Sequence, residues 1–452
     1  MKKKSAIIVG AGLVGSLWAI YLAKAGYKVD VFEMRGDIRK ADIAAGKSIN
    51  LALSDRGWRA LGQVGIEEEI RKIAIPMRGR IMHALDGTLT FQPYGKKGQA
   101  IYSVSRGGVN ARLMEAAESA GTVEIHYHHK CIGADTQEGI AWFEHTKTGA
   151  SMSFQADLIF GTDGAFSAIR YKAMQKLDRF NYEQRYISDG YREILLPADA
   201  DGSYKLDKNA LHIWPRGRFM LIALPNEDGS FTCTLFMPFE GGENSFEQLR
   251  TKEQVDVFFK KTFPDFFELM PDIGEKWGAH PLSSLAIIRC YPWSNGRALL
   301  LGDAAHATVP FYGQGMNSGF EDCRILGDMM EEYQENWAQI FKAFQQERKP
   351  NGDAVQDLSL HNYYVMRDYV ADPRFLLQKK IEARFSERYP DKWMPLYSQV
   401  TFSHISYADA LKVGMRQDEI IKEVMKEVVD IEQRWDSDEV EALILKKLKI
   451  KV

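Results

Sequence analysis

The chain has 452 residues, 45% hydrophobic and 26% charged, the balance of a soluble globular protein with room for two or three domains. A net charge of −3, with no basic run longer than Lys2-Lys3-Lys4, gives no electrostatic reason to expect nucleic acid as a partner. Its four cysteines (Cys131, Cys233, Cys290, Cys323) share neither metal-ligand nor disulfide spacing, and no apolar window is long enough to span a membrane. A cytoplasmic protein with no membrane anchor, no signal peptide and no resident metal is expected, and nothing in the sequence fixes its oligomeric state.

The first predicted element is a strand, Ser5 to Val9, followed by Gly10-Ala11-Gly12-Leu13-Val14-Gly15, a helical stretch to Gly26, and a second strand, Lys28 to Glu33. Strand, GxGxxG, helix, strand and terminal acid make up the full dinucleotide-binding context. Gly10 permits the tight turn, Gly12 admits a pyrophosphate, and Gly15 lets the helix approach the strand. Glu33 lies 18 residues after Gly15, placed for the adenosine ribose. The candidate cofactor contacts of this motif are Gly10, Gly12, Val14, Gly15, Glu33 and Arg35.

Further along, residues 100–175 read as more strand–helix alternation, with a helix near Val109 to Ala120. His126 and His128 fall on one face of a strand-like run. With no carboxylate or cysteine in view to complete a metal site, they read as a solvated face. The run Ala156 to Phe160 ends in Gly161-Thr162-Asp163-Gly164. Residues 180–285 change character: Tyr191–Leu196, Ala210–Trp214, Phe219–Leu224 and Phe231–Met237 are short β-rich runs that suggest an inserted antiparallel sheet. The run Arg297 to Leu301 then ends in Gly302-Asp303, and a glycine-rich loop, Pro310 to Asn317, leads into a helix from Ser318 to Met330. His306 could be a base or a packing residue, and packing is the simpler reading. From about 325 the pattern is helical to the end, as in Ile420, Ile421, Val424, Val428 and Val429.

The fold class expected is α/β. A Rossmann-like FAD-binding domain (1–75, 100–180, 285–325) holds an inserted antiparallel β-sheet substrate domain (76–99, 181–284) and is followed by a C-terminal helical region (326–452). Three glycine-and-acid strand ends spread over some 300 residues fit the long FAD molecule better than NAD. Asp163 and Asp303 are therefore further cofactor candidates.

A GxGxxG, an Asp-Gly and a Gly-Asp motif in this order resemble the flavin-dependent aromatic hydroxylases. Longer strings narrow the likeness to the kynurenine 3-monooxygenase family: Ile75-Pro76-Met77-Arg78-Gly79-Arg80, Pro93-Tyr94-Gly95, Tyr102-Ser103-Val104-Ser105-Arg106, Pro310-Phe311-Tyr312-Gly313-Gln314-Gly315-Met316-Asn317, His361-Asn362-Tyr363 and Pro395-Leu396-Tyr397. The resemblance implies that Arg80, Tyr94, Asn362 and Tyr397 bind an amino-acid substrate, L-kynurenine. It implies that Arg106, Met316 and Asn317 contact the FAD. Pro310, Phe311, Gly313, Gln314 and Gly315 would wall a dry flavin pocket. It further implies 3-hydroxylation with NADPH, a transient co-substrate, and O2 through a C4a-hydroperoxyflavin. Val365 stands where the family often has Glu, and Tyr312 where it often has Phe. Without the resemblance, Arg80 reads as a surface cation and the two tyrosines as half-buried aromatics. A related hydroxylase of another aromatic acid, or a non-catalytic flavin-binding protein, remain the alternatives.

Overall fold

Ser5–Val9 is apolar on both faces, so it can be stable only inside a sheet covered on both sides, and it lies there. A computed structural model describes residues 4–40, 50–96, 98–366 and 372–449. Ser5–Val9 pairs in parallel with Leu158–Gly161 on one side and Lys28–Glu33 on the other. Ala298–Leu300 and Val123–Tyr127 extend the parallel sheet, and the short Ser294–Asn295 closes one edge antiparallel. Helix Leu13–Lys24 packs between Arg106–Ser119 and Gly315–Glu332. The three glycine-and-acid turns thus leave the same, C-terminal end of one sheet, where α/β folds bind their ligands.

The second sheet has seven strands in the order Leu282–Tyr291, Asn181–Leu196, Phe231–Pro238, Met220–Pro225, Ala210–Pro215, Gly79–His83, Leu89–Pro93. It is antiparallel except at one join, where Gly79–His83 runs parallel to Ala210–Pro215 and Arg80 faces Leu211 in register. Helices Lys252–Thr262 and Pro264–Leu269 cover one face through Trp214, Phe231, Phe259 and Phe266. The other face carries Phe236 and Ile222 toward Val309, Phe311 and Tyr363 of the cofactor half. The C-terminal region is helical, with Ile381, Phe385, Trp393, Ile420, Ile421, Val424 and Ile444 in its core.

Several expectations change. Residues 129–155 do not alternate: His129–Asp135, Ile140–His145 and Ser151–Gln155 form an antiparallel meander that stacks Phe143 on Phe32 at 3.9 Å. The inserted sheet continues to Tyr291, past the expected boundary at 284, and Asn181–Leu196 is one long strand whose polar first half hides it from a hydrophobicity pattern. His126 and His128 do not share a strand face, because His128 has φ +62° just beyond the strand. Carboxylates are also close to His126: its Nε2 lies 2.9 Å from Asp30 Oδ1, Glu124 flanks the ring, and the imidazole stacks on Phe32 at 4.6 Å. Val429 lies beyond the end of its helix and is exposed. Lys2 and Lys3 fall outside the described residues. Among those described, no helix is long and apolar enough to cross a membrane.

Candidate active site

The Gly10–Gly15 turn forms one half of the site. Gly10 has φ +100°, and a Cβ there would sit 2.7 Å from Thr162 O; at Gly15 it would sit 2.0 Å from Gly10 O. Neither position admits a side chain. At Gly12 a Cβ would meet nothing within 4 Å, so the space beside it is open. The amides that start Leu13–Lys24 have no acceptor within the helix, which suits a phosphate. Val14 turns its side chain into Gly302 and Gly319, where added Cβ atoms would approach it to 2.9 and 2.6 Å, and so ties this motif to the Gly-Asp motif.

Glu33 is held beside the turn, accepting from Ala11 N at 3.1 Å and Arg35 N at 3.0 Å; the Arg35 side chain is exposed. Asn110, which sequence reasoning missed, donates from Nδ2 to Ala11 O at 2.9 Å and keeps a buried Oδ1 without a partner. Its one local signal is a weak helix former placed inside a helix.

Asp163 accepts from Ala168 N at 2.6 Å through Oδ2, while Oδ1 is buried and unpartnered. Asp303 is reachable by solvent yet enclosed on most sides, as on a cleft floor, and makes no hydrogen bond among the described residues. Burial pushes both carboxyls above the ordinary range, with the exposed Arg106 opposing the rise at Asp303. Open space at Gly12, free helix amides and unused acceptors at Asp163, Asp303 and Asn110 fit a dinucleotide cofactor such as FAD.

The other half is the loop before Gly315–Glu332. Pro310 is exposed, Phe311 and Tyr312 are buried, and Gly313 takes φ +67°. Gly315, Met316 and Asn317 supply the free amides of the helix start. The Met316 side chain sits in the core, and Asn317 donates to Ala52 O and Gly313 O while accepting from Ser54 N. The Gln314 side chain is buried against Tyr407, whose hydroxyl donates to Gln314 Oε1 at 2.9 Å.

Three of the four expected substrate residues come together. Tyr94 and Tyr397 stack at 5.3 Å and 13°, and the Arg80 guanidinium lies 5.1 and 4.9 Å from their ring centres. Tyr312 stacks on Tyr397 at 5.7 Å. Arg80 Nε and the Tyr94 hydroxyl are buried without hydrogen-bond partners, and among the described residues no carboxylate pairs with Arg80. Burial pushes the Tyr94 and Tyr397 phenols upward, so both remain O–H donors. Asn362 donates to Phe311 O at 2.6 Å and so buttresses the loop. Val365 directly follows Trp337–Tyr364, the helix that carries Asn362. Leu211, Ile222 and Leu224 add an apolar wall around Tyr94 and Tyr397 that sequence reasoning did not identify.

Beneath the loop lies a buried ionic network, also missed. Arg56 and Arg348 each contact Glu321 at 2.7 Å, Arg348 Nε contacts Asp322 at 2.7 Å, and His306 Nε2 lies 2.6 Å from Asp322. Burial alone would push the Glu321 and Asp322 carboxyls up, but Arg348 and Arg56 at Glu321, and His306 and Arg348 at Asp322, hold both below the ordinary range. Asp322 also accepts from Gly302 N at 3.0 Å, which fixes the turn bearing Asp303. His306 is therefore a packing and hydrogen-bonding residue.

A model of the FAD binding domain family matches residues 3–359. The kynurenine 3-monooxygenase of Christiangramia forsetii is 49% identical over 99% of both chains, and that of Dictyostelium discoideum 41% identical over 94% of this chain and 93% of its own. Among solved structures, Pseudomonas aeruginosa PqsL in complex with 2-aminobenzoylacetate is similar at TM-score 0.66 and 16% identity, covering 81% of this chain and 97% of that one. Tetrameric 2-methyl-3-hydroxypyridine-5-carboxylic acid oxygenase follows at TM-score 0.64 and 19% identity, covering 82% and 95%. These two carry the fold alone. With the cofactor cleft, the wall loop and near-full-length relatives in agreement, the chain belongs to the FAD-binding-domain flavoproteins, in the kynurenine 3-monooxygenase family of FAD-dependent monooxygenases.

Proposed function

We propose that this protein hydroxylates L-kynurenine to 3-hydroxy-L-kynurenine in the cytoplasm, using FAD, NADPH and O2. The observation that carries the reading is Arg80: a guanidinium held against two tyrosine rings, its Nε buried, with no carboxylate to meet it among the described residues. A half-buried guanidinium whose Nε has no partner and no carboxylate is costly, and a ligand carboxylate would relieve that cost by a forked, charge-assisted bond. The Tyr94 and Tyr397 hydroxyls stand beside it as neutral donors. The apolar wall of Leu211, Ile222 and Leu224 suits an aromatic ring carried on the same ligand. An aromatic amino acid supplies both parts.

FAD, when bound, accepts electrons from NADPH and activates O2 for transfer to the substrate ring. The chain's own residues bind, orient and keep water out. Gly12, Glu33, Asp163 and Asp303 are assigned to the cofactor's phosphate and hydroxyl groups, and Arg106, the Arg35 main chain and Val14 to framing it. The Gly315–Asn317 amides are assigned to the flavin ring, with Phe311 and Tyr312 excluding water beside it. Asn362 acts by fixing the Phe311 carbonyl.

The test is NADPH oxidation with and without L-kynurenine, with product identified by mass and compared against anthranilate and 4-hydroxybenzoate. Kynurenine is expected to accelerate oxidation and yield the 3-hydroxy product. If it does neither, the reading fails, and turnover on a comparator would move the protein to another hydroxylase.

A further inference from the structure

The Pro310–Asn317 loop, assigned above to the flavin pocket, is tied through one buried side chain to the C-terminal helices. Gln314 occupies the position just before Gly315, so its peptide plane sets where the first free amides of Gly315–Glu332 point. It follows Gly313, whose φ of +67° already bends the chain sharply. Gln314 makes no side-chain cap to its own helix. Its side chain, 2% exposed, instead meets Tyr407, the first residue of helix Tyr407–Glu427. The Tyr407 hydroxyl donates to Gln314 Oε1 at 2.9 Å.

Tyr407 is fully buried and doubly engaged. Its ring lies 4.1 Å from the Arg56 guanidinium, and Arg56 pairs with Glu321 two turns along the same loop-led helix. Arg56 also donates to the carbonyls of Val400 at 2.9 Å and of Ile405, within the segment leading to Tyr407. Burial raises the Tyr407 phenol, so its proton stays on the oxygen and donates at any working pH. The remaining tethers act at other points: Asn362 holds Phe311 O, and Asn317 holds Gly313 O. Among the described residues, the Tyr407 hydrogen bond is what ties the Gln314 side chain to the C-terminal helices.

We infer that Tyr407 is a positioning residue for the flavin site, acting through Gln314 to fix the direction of the Gly315–Asn317 amides. This rests on the assignment of those amides to the flavin ring. Tyr407→Phe keeps the ring over Arg56 and removes only the oxygen. It is expected to bind FAD and to melt as a single transition. Its visible circular dichroism, recorded on bound oxidised FAD without substrate, should differ from wild type. With L-kynurenine, hydroxylated product per NADPH oxidised should fall about three- to tenfold, the balance released as hydrogen peroxide, a scale expected when a reacting geometry loosens. The Gln314→Leu/Tyr407→Phe pair replaces both polar partners with apolar ones and should recover thermal stability without recovering the dichroism or the coupling.

Unchanged dichroism in Tyr407→Phe overturns the inference. So does a double variant that recovers coupling together with stability, since packing alone would then explain the pair. Because dichroism needs no turnover, a wild type inactive on kynurenine would overturn the proposed function while leaving this inference separately decidable.

Discussion

In the proposed function, Arg80 and Gly12 are two positions where a single substitution tests what binds. Arg80→Ala removes the fork for a ligand carboxylate, and the loss of one charge-assisted bond predicts about 2 kcal/mol or more, roughly 30-fold in the KM for kynurenine. Arg80→Lys should recover little of this, because an ammonium lacks the planar fork and lies less well against the stacked Tyr94 and Tyr397 rings. A KM unchanged in Arg80→Ala would remove it as the anchor. Gly12→Val presents a different case. A Cβ at Gly12 meets no protein atom, so the valine obstructs only a ligand. The variant should melt near the wild-type temperature yet purify colourless; a yellow, fully loaded protein would show that the open space beside Gly12 does not hold the cofactor. The tight turn at Gly10 and the close approach at Gly15 were readable from sequence because each depends on a few neighbouring residues. Asn110, Leu211 and Ile222 were not, since they reach their partners through tertiary packing alone.

Helices Gly315–Glu332 and Trp337–Tyr364 are joined by charge rather than by an apolar seam alone. Arg348 reaches across to Glu321 and Asp322 and also donates to Ser318 O at 3.3 Å. Arg348→Ala would leave two buried carboxylates sharing what Arg56 and His306 can offer, and about 3–5 kcal/mol of stability should be lost in urea unfolding. A loss below about 1 kcal/mol, the scale of an exposed pair, would mean that water reaches the network. Sequence reasoning places arginines and glutamates of a helix in solvent, and Arg348 and Glu321 defeat that rule because their partners come from other elements. The same limit applied to strands. Asn181–Leu196 begins with exposed polar residues and carries no alternation to read, whereas Ser5–Val9 and Leu158–Gly161, buried on both faces, were legible as apolar runs.

At the scale of the whole molecule, that network should set the response to acid. Glu321 and Asp322 are held below the ordinary carboxylate range in the folded state, so unfolding takes up protons. Their contribution is present above the unfolded carboxyl range, near pH 4, and is lost as pH falls through the lower folded values. Asp163 and Asp303 are shifted the other way and relieve strain on protonation, so they partly offset this fall. Asp322→Asn should flatten the dependence of unfolding free energy on pH in the acid region by up to about 1.4 kcal/mol per pH unit, one proton's worth. An identical slope would show that Asp322 does not drive the acid response. The single parallel join of the second sheet has a consequence for how the molecule is made. The first motif can close once the strand ending at Gly161 exists, but Arg80 must wait for Leu211, its register partner, before its strand has a neighbour on the inner side. On a ribosome the first glycine turn can therefore close on the strand ending at Gly161 while the strand of Arg80 still lacks its inner neighbour; the rest of the cofactor cleft, from Asp303 onward, follows later. Order of emergence therefore makes the Arg80 strand a later arrival than the first turn, and a chain stalled or truncated between Gly161 and Ala210 would keep that turn while the proposed substrate strand lacks its inner neighbour.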